Sequence, residues 1–143
     1  MKYITGHFSF SEIGYRKFYG AYAFIIVLWD PVKRWSSLYF FNRYKKLDHF
    51  KIEDNITTFL LSKYGKSQGR AYVKFLGGAD NDRDYVSQQA IDRVKKNLGK
   101  FDIVGYLENQ ESFLKQFEDR FGVKLNIHKK IRVLRRNLSE NLL

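Results

Sequence analysis

The sequence contains no cysteine, which excludes disulfides and thiolate metal sites. Its 143 residues include a single proline, Pro31. Proline suits the first position of a helix, where its missing N–H is not needed, so Pro31 marks a helix start. Acidic residues are scarce beside basic ones: Asp plus Glu is 15, Lys plus Arg is 26, and the net charge is +11. That imbalance favours anionic partners, whether nucleotides, nucleic acid, sulfated or carboxylated glycans or acidic membranes, without choosing among them. No apolar run approaches the roughly 20 residues needed to cross a bilayer. Tyr3-Ile4 is followed at once by Thr5, Gly6 and His7, which is not the pattern of a secretory leader. The expectation is a soluble, cytoplasmic chain. No internal repeat, low-complexity stretch or second domain is visible.

What is present is enough to build a core. The chain is 44% hydrophobic and 17% aromatic, so its composition is not that of a disordered protein, and its length suits one domain, 1–143. The most informative stretch is 22–39. Phe24-Ile-Ile-Val-Leu28 reads as a short strand buried on both faces, as in a parallel sheet. Asp30 follows as an N-cap whose carboxylate accepts orphan backbone N–H groups. Val32, Trp35 and Tyr39 then recur at helical spacing. Strand, tight turn and helix follow one another, and in open α/β sheets ligands bind at the carboxyl ends of such strands.

Elsewhere, Phe8 to Gly20 reads as loop with a helical turn. Asp54 or Asn55 caps a helix carrying Ile56, Phe59 and Leu60. Gly65 to Gly78 reads as irregular, with Ala71 to Leu76 extended. A helix over 85–98 presents Ala90, Ile91, Val94 and Leu98 on one stripe and stops at Gly99. Phe101 to Tyr106 reads as a second buried strand. Asn109 caps a last helix with Phe113, Leu114, Phe117 and Phe121 inward, stopped by Gly122. The two apolar runs, 23–28 and 102–106, are expected to be parallel neighbours or near-neighbours in one sheet, covered by helices at about 31–46, 85–98 and 109–121. The alternation makes the fold class α/β.

Few residues carry obvious chemistry. Gly65-Lys66-Ser67 resembles the end of a nucleotide P-loop, but Leu60 stands where the first glycine is required and a helix, not a strand, precedes it. A surface turn is the better reading. His7, His49 and His128 lack metal-ligand spacing. A scattered histidine is usually structural or exposed, yet His7 follows a glycine after a short strand and could take a proton from a hydroxyl nucleophile. Ser36 and Ser37 are either helical filler or phosphate donors near the strand end, and Lys33 shares a face with Ser37 one turn on. The basic segment with Lys129, Lys130, Arg132, Arg135 and Arg136 is a solvated face or a grip for phosphate or sulfate.

Thr5-Gly-His-Phe8, a buried strand, and Trp29-Asp-Pro-Val-Lys-Arg-Trp-Ser-Ser-Leu-Tyr39 together resemble the sulfotransferases related to heparan sulfate 2-O-sulfotransferase. That family shows a Gly-His segment and then a strand leading into Arg-Asp-Pro-x-x-Arg-x-x-Ser-x-Tyr. The helix ending at Leu98, Phe101-Asp-Ile-Val-Gly-Tyr-Leu-Glu108 and the helix ending at Phe121 resemble the family's next three segments in order. The resemblance implies a P-loop-like α/β fold. It also implies transfer of a sulfuryl group from 3′-phosphoadenosine 5′-phosphosulfate (PAPS) to a hydroxyl, often on a glycan, with no metal. By the same resemblance His7 matches the catalytic base and Ser37 the serine that binds the 3′-phosphate. Lys33 accompanies Ser37, and Lys129, Lys130 and Arg132 match a basic loop near the 3′-phosphoadenosine.

The chain departs from the family in two places. Trp29 replaces the arginine that partners the serine, and could stack on adenine instead. No Lys-x-Gly-Thr sequence of the family's 5′-phosphosulfate loop occurs in it. The expectation is therefore a partial P-loop-like parallel sheet lacking the first strand and phosphosulfate loop, with an exposed sheet edge open to self-association and no useful turnover by this chain alone. Two other classes compete. One is a non-catalytic module that binds nucleotide or anionic glycan. The other is a nucleic-acid-binding domain, disfavoured because the aromatics fall on core stripes rather than on an exposed platform.

Overall fold

The fold was described from a computed structural model, which describes Gly6, residues 9–77 and residues 85–126. Seven helices and two strands follow in the order α1 (Glu12–Phe18), β1 (Ile25–Leu28), α2 (Pro31–Tyr44), α3 (Ile56–Leu61), α4 (Lys63–Gly69), α5 (Ala71–Leu76), α6 (Gln88–Leu98), β2 (Ile103–Tyr106) and α7 (Gln110–Phe121) among the described residues. Local signals set most boundaries. Asp30 accepts from the Lys33 N–H ahead of Pro31, Asn55 from Thr58, Ser87 from Ala90, and Asn109 from Ser112. Each satisfies an orphan donor of a helix start. At the other end of α7, Gly122 adopts φ +66°, a left-handed turn that glycine takes without a Cβ penalty. Gly99 ends α6 differently, with an ordinary φ of −64°.

The two strands pair in parallel, Ile25 with Ile103 through Leu28 with Tyr106. They are the whole sheet among the described residues. Helix α7 returns onto β2 so closely that a Cβ on Gly105 would come 2.5 Å from the Phe113 ring. That approach is why β2 carries a glycine where a strand interior normally avoids one. Helix α2 packs its inner face on α3 and α4. Tyr39, Ile52 and Phe59 form the buried cluster, with Trp35 and Leu38 against it. Two polar groups lock this packing: the Trp35 indole donates to the Gly65 carbonyl (2.9 Å), and the Tyr39 hydroxyl to the Asp54 carbonyl (3.1 Å).

Several sequence readings need correction. Ala71–Leu76 is helix α5, not extended; a six-residue segment, apolar except for Lys74, fits either period, and packing on α6 decides. The 65–78 stretch is helical through α4 and α5 rather than irregular, and residues 12–18 form a capped helix. Gly65 is not a surface turn. It is buried in α4, where an added Cβ would overlap the Phe59 carbonyl oxygen and lie 2.8 Å from its carbon. Strand β1 is not buried on both faces: Ile25 and Val27 are 37% and 43% exposed, because nothing among the described residues covers that side. The stripe of α6 is also rotated. Ala90 and Asn97 are buried, with the Asn97 amide donating to the Leu76 carbonyl, whereas Ile91 is exposed. Nor are the aromatics confined to core stripes, since Phe41, Tyr44 and Phe50 stand in solvent.

At the far end of the molecule, Lys100 reaches back to Glu12. Its hydrogen bond, and a second from Arg16, hold the Glu12 carboxyl below the usual carboxylate range. The tie therefore favours the fold above the unfolded pKa and is lost as pH falls through the lower folded one.

Gly65→Ala should destabilise the protein by roughly 1–3 kcal/mol, because backbone must move to admit the methyl group. Gly69→Ala, where a Cβ meets nothing within 4 Å, should be neutral or stabilising by about 0.4–1 kcal/mol. Urea unfolding of the two variants checks the contrast; equal midpoints would show that Gly65 is not the close-contact point between α3 and α4.

Candidate functional site at the strand ends

Parallel pairing places the carboxyl ends of β1 and β2 side by side, so both strand-to-helix turns emerge at one edge. The Leu107 N–H donates to the Leu28 carbonyl (2.8 Å), which carries the pairing one step past the strands. The two turns are then joined directly: the Asp30 N–H donates to Glu108 Oε1 (3.1 Å). Asp30 Oδ1 meanwhile accepts from the Lys33 N–H (2.8 Å) and starts α2. Asn109 does the same for α7 through Ser112 (3.1 Å).

Between these turns lies an open cleft of about 570 Å³. Trp29, Lys33, Ser36 and Ser37 line it from the first turn and α2. Leu107, Glu108 and Gln110 line it from the second turn and α7. Lys33 and Ser37 are four residues apart on one exposed helix face, as their spacing requires. Two helix N-termini flank the cleft, and their partial positive charges add to Lys33. The Asp30 and Glu108 carboxylates oppose them. Both are engaged in hydrogen bonds to backbone N–H groups, so the cleft is mixed in charge rather than a strongly cationic pit.

Trp29 is held by its backbone. The Tyr72 hydroxyl on α5 accepts from the Trp29 N–H (2.9 Å) and donates to the Trp29 carbonyl (2.8 Å). One side chain thus satisfies both peptide groups at the strand exit. Arg34 braces the clamp: its guanidinium donates to the Gln68 carbonyl (2.8 Å) and lies 5.5 Å from the Tyr72 ring centroid. Arg34 therefore turns away from the cleft, and the buried Tyr39 does likewise through Asp54. Within Trp29-Asp-Pro-Val-Lys-Arg-Trp-Ser-Ser-Leu-Tyr39, the inward residues hold the fold and the outward ones line the cleft.

Of the residues singled out in the sequence, Trp29, Lys33 and Ser37 come together in this cleft. His7, Lys129, Lys130 and Arg132 lie outside the described residues. Sequence reasoning assigned no site role to Glu108, Gln110 or Tyr72. Glu108 carried a signal, an acid between a strand end and the Asn109 cap. Tyr72 carried none, because its role rests on a contact across 43 residues. No helix among the described residues is long and apolar enough to cross a membrane. Compared with protein-family models, curated proteins and solved structures, the chain matches none.

Tyr72→Phe removes both bonds to Trp29 and leaves a partly buried N–H and C=O unpaired. It should cost about 1–3 kcal/mol. Measured in a Trp35→Phe background, the fluorescence anisotropy of Trp29 should fall. Unchanged stability together with unchanged anisotropy would show that the clamp does not hold the strand exit.

Proposed function

We propose that the chain is a sulfotransferase-like protein whose strand-end cleft takes an anionic nucleotide of the PAPS class. One observation carries this reading: Trp29, Lys33 and Ser37, spread over nine residues of sequence, line one cleft at the carboxyl ends of two parallel strands. That is where α/β sheets bind nucleotides. A cation, two hydroxyls and two helix N-termini suit a phosphate, and the indole offers a face for a purine. When bound, such a donor supplies a sulfuryl group already activated by its phosphate leaving group. Lys33 and Ser37 would hold the 3′-phosphate end. His7 is the base in this reading and would take the proton of the acceptor hydroxyl, in a glycan by resemblance. Lys129, Lys130 and Arg132 would face the nucleotide.

A second reading, binding without turnover, is favoured by the charge of the cleft. Lys33 is the only cation among its described lining residues, and the Glu108 carboxylate stands opposite. Sulfuryl transfer builds negative charge that must be met by several preorganised donors, and loss of one such donor elsewhere costs roughly 100- to 1000-fold. Partner chemistry follows from the same reading: an anionic nucleotide, a hydroxylated glycan, and self-association through the outer edge of β1, which nothing among the described residues pairs.

Calorimetry with 3′-phosphoadenosine 5′-phosphate should show weak binding. Ser37→Ala should weaken it, and Trp29→Arg should tighten it by about 1.5–3 kcal/mol through a charged hydrogen bond. Heat from neither the wild type nor Trp29→Arg would sink the nucleotide reading. Transfer of labelled sulfate from PAPS to glycan and phenolic acceptors separates the two readings: the binding reading expects no turnover, and robust turnover abolished by His7→Ala would establish the catalytic one.

A further inference from the structure

We propose that Glu108 sets the specificity of the strand-end cleft by accepting a hydrogen bond from the ribose hydroxyl that neighbours the 3′-phosphate of a bound nucleotide. The assignment rests on the nucleotide reading of the cleft. Polar groups close to the cleft are spent on the fold: Asp30 accepts from the Lys33 N–H, Asn109 from the Ser112 N–H, and Arg34 donates to the Gln68 carbonyl. Those that line it are not. The Lys33 ammonium, the Ser36 and Ser37 hydroxyls and the Gln110 amide have no hydrogen-bond or ion-pair partner among the described residues. Glu108 is half spent. Its Oε1 accepts from the Asp30 N–H (3.1 Å), whereas Oε2 has no partner among the described residues. One oxygen thus fixes the carboxylate between the two turns, and the other is left as a positioned acceptor.

The two walls of the cleft differ in charge. Lys33 stands with Ser36 and Ser37 on the α2 wall, and Glu108 on the other. Glu111 and Lys115 follow on α7, four residues apart and opposite in sign, and line no part of the cleft. The α7 wall therefore keeps the charge of Glu108. A phosphate is attracted to the α2 wall and repelled from the α7 wall. An ionised carboxylate only accepts hydrogen bonds, so whatever faces Glu108 must donate one.

A nucleoside 3′-phosphate carries such a donor in the right place. Its 2′-hydroxyl is on the adjacent ribose carbon, so a ligand held at Lys33 and Ser37 by its 3′-phosphate brings a hydroxyl beside that phosphate. The adenine amine, the ligand's other donor, is on the edge of the purine far from the ribose. Reading a ribose hydroxyl with a carboxylate is also how other parallel sheets select nucleotides at their strand ends. A site built to pair with a hydroxyl rejects the analogue that lacks it, because its own acceptor is then left facing the ligand without a partner.

The test is calorimetry of the full chain with 3′-phosphoadenosine 5′-phosphate and with its 2′-deoxy analogue. The wild type should bind the ribonucleotide about tenfold or more tightly, as expected of a hydrogen bond to a charged group. Glu108→Ala should bring the ratio of the two affinities to about one. Glu108→Gln, which keeps the shape and an acceptor for the Asp30 N–H, should lower the ratio to a few-fold with unchanged circular dichroism. Equal binding of the two ligands by the wild type, with both weakened by Ser37→Ala, would overturn the assignment to Glu108 and leave the nucleotide reading standing. So would variants that lose affinity for both ligands equally and keep the ratio, since Glu108 would then only tie the turns together. Binding of neither ligand would overturn the nucleotide reading and this assignment with it.

Discussion

Parallel pairing of Ile25–Leu28 with Ile103–Tyr106 is the constraint from which the rest of the molecule follows. Parallel strands cannot be joined by a hairpin, so the chain between them must cross over, and α2 to α6 are that crossover. The pairing also decides where chemistry can occur. It brings two strand exits to one edge, and each exit runs straight into a capped helix. The Asp30 N–H to Glu108 bond and the Leu107 N–H to Leu28 bond then fuse the turns into one wall. Had the strands paired antiparallel, Trp29 and Glu108 would lie at opposite ends of the sheet and no cleft would join them.

Two strands are a small sheet, and three or more are ordinarily needed for independent stability. Here the pair leans on helices unequally. Helix α7 covers the β2 side, closely enough to require Gly105, whereas Ile25 and Val27 remain partly in water. Residues 18–29 contain no charged side chain, so β1 lacks the lysine or proline with which exposed edges are usually blunted. The clamp from Tyr72 matters more in that setting. It fixes the exit of β1 from the α5 side, where no neighbouring strand among the described residues does so.

How much of this was legible in the sequence depended on how local the cause was. Both strands, α2, α3, α6 and α7 were readable because their signals are local: short apolar runs, side-chain caps at Asp30, Asn55 and Asn109, and stops at Gly99 and Gly122. Ala71–Leu76 was not, because so short a segment, apolar except for Lys74, fits both periods until a neighbour is known. The exposure of Ile25 and Val27 was not, because a β-branched run reads as buried on both faces only if both faces are covered. The cleft was half legible. Strand-end logic found Trp29, Lys33 and Ser37, since they follow β1 directly. Tyr72, Arg34 and the bond from the Trp35 indole to the Gly65 carbonyl depend on contacts across some 30 to 43 residues, which no spacing rule reports.

The central claim is that the strand exits form a nucleotide site. Hydrogen–deuterium exchange with and without 3′-phosphoadenosine 5′-phosphate tests it most directly, because it reads position as well as binding. Ligand should slow exchange in residues 29–37 and 106–110 together, since the two turns form one wall, and leave α3 and α6 unchanged. Protection in only one of the two turns, or at 41–51 instead, would contradict a shared cleft.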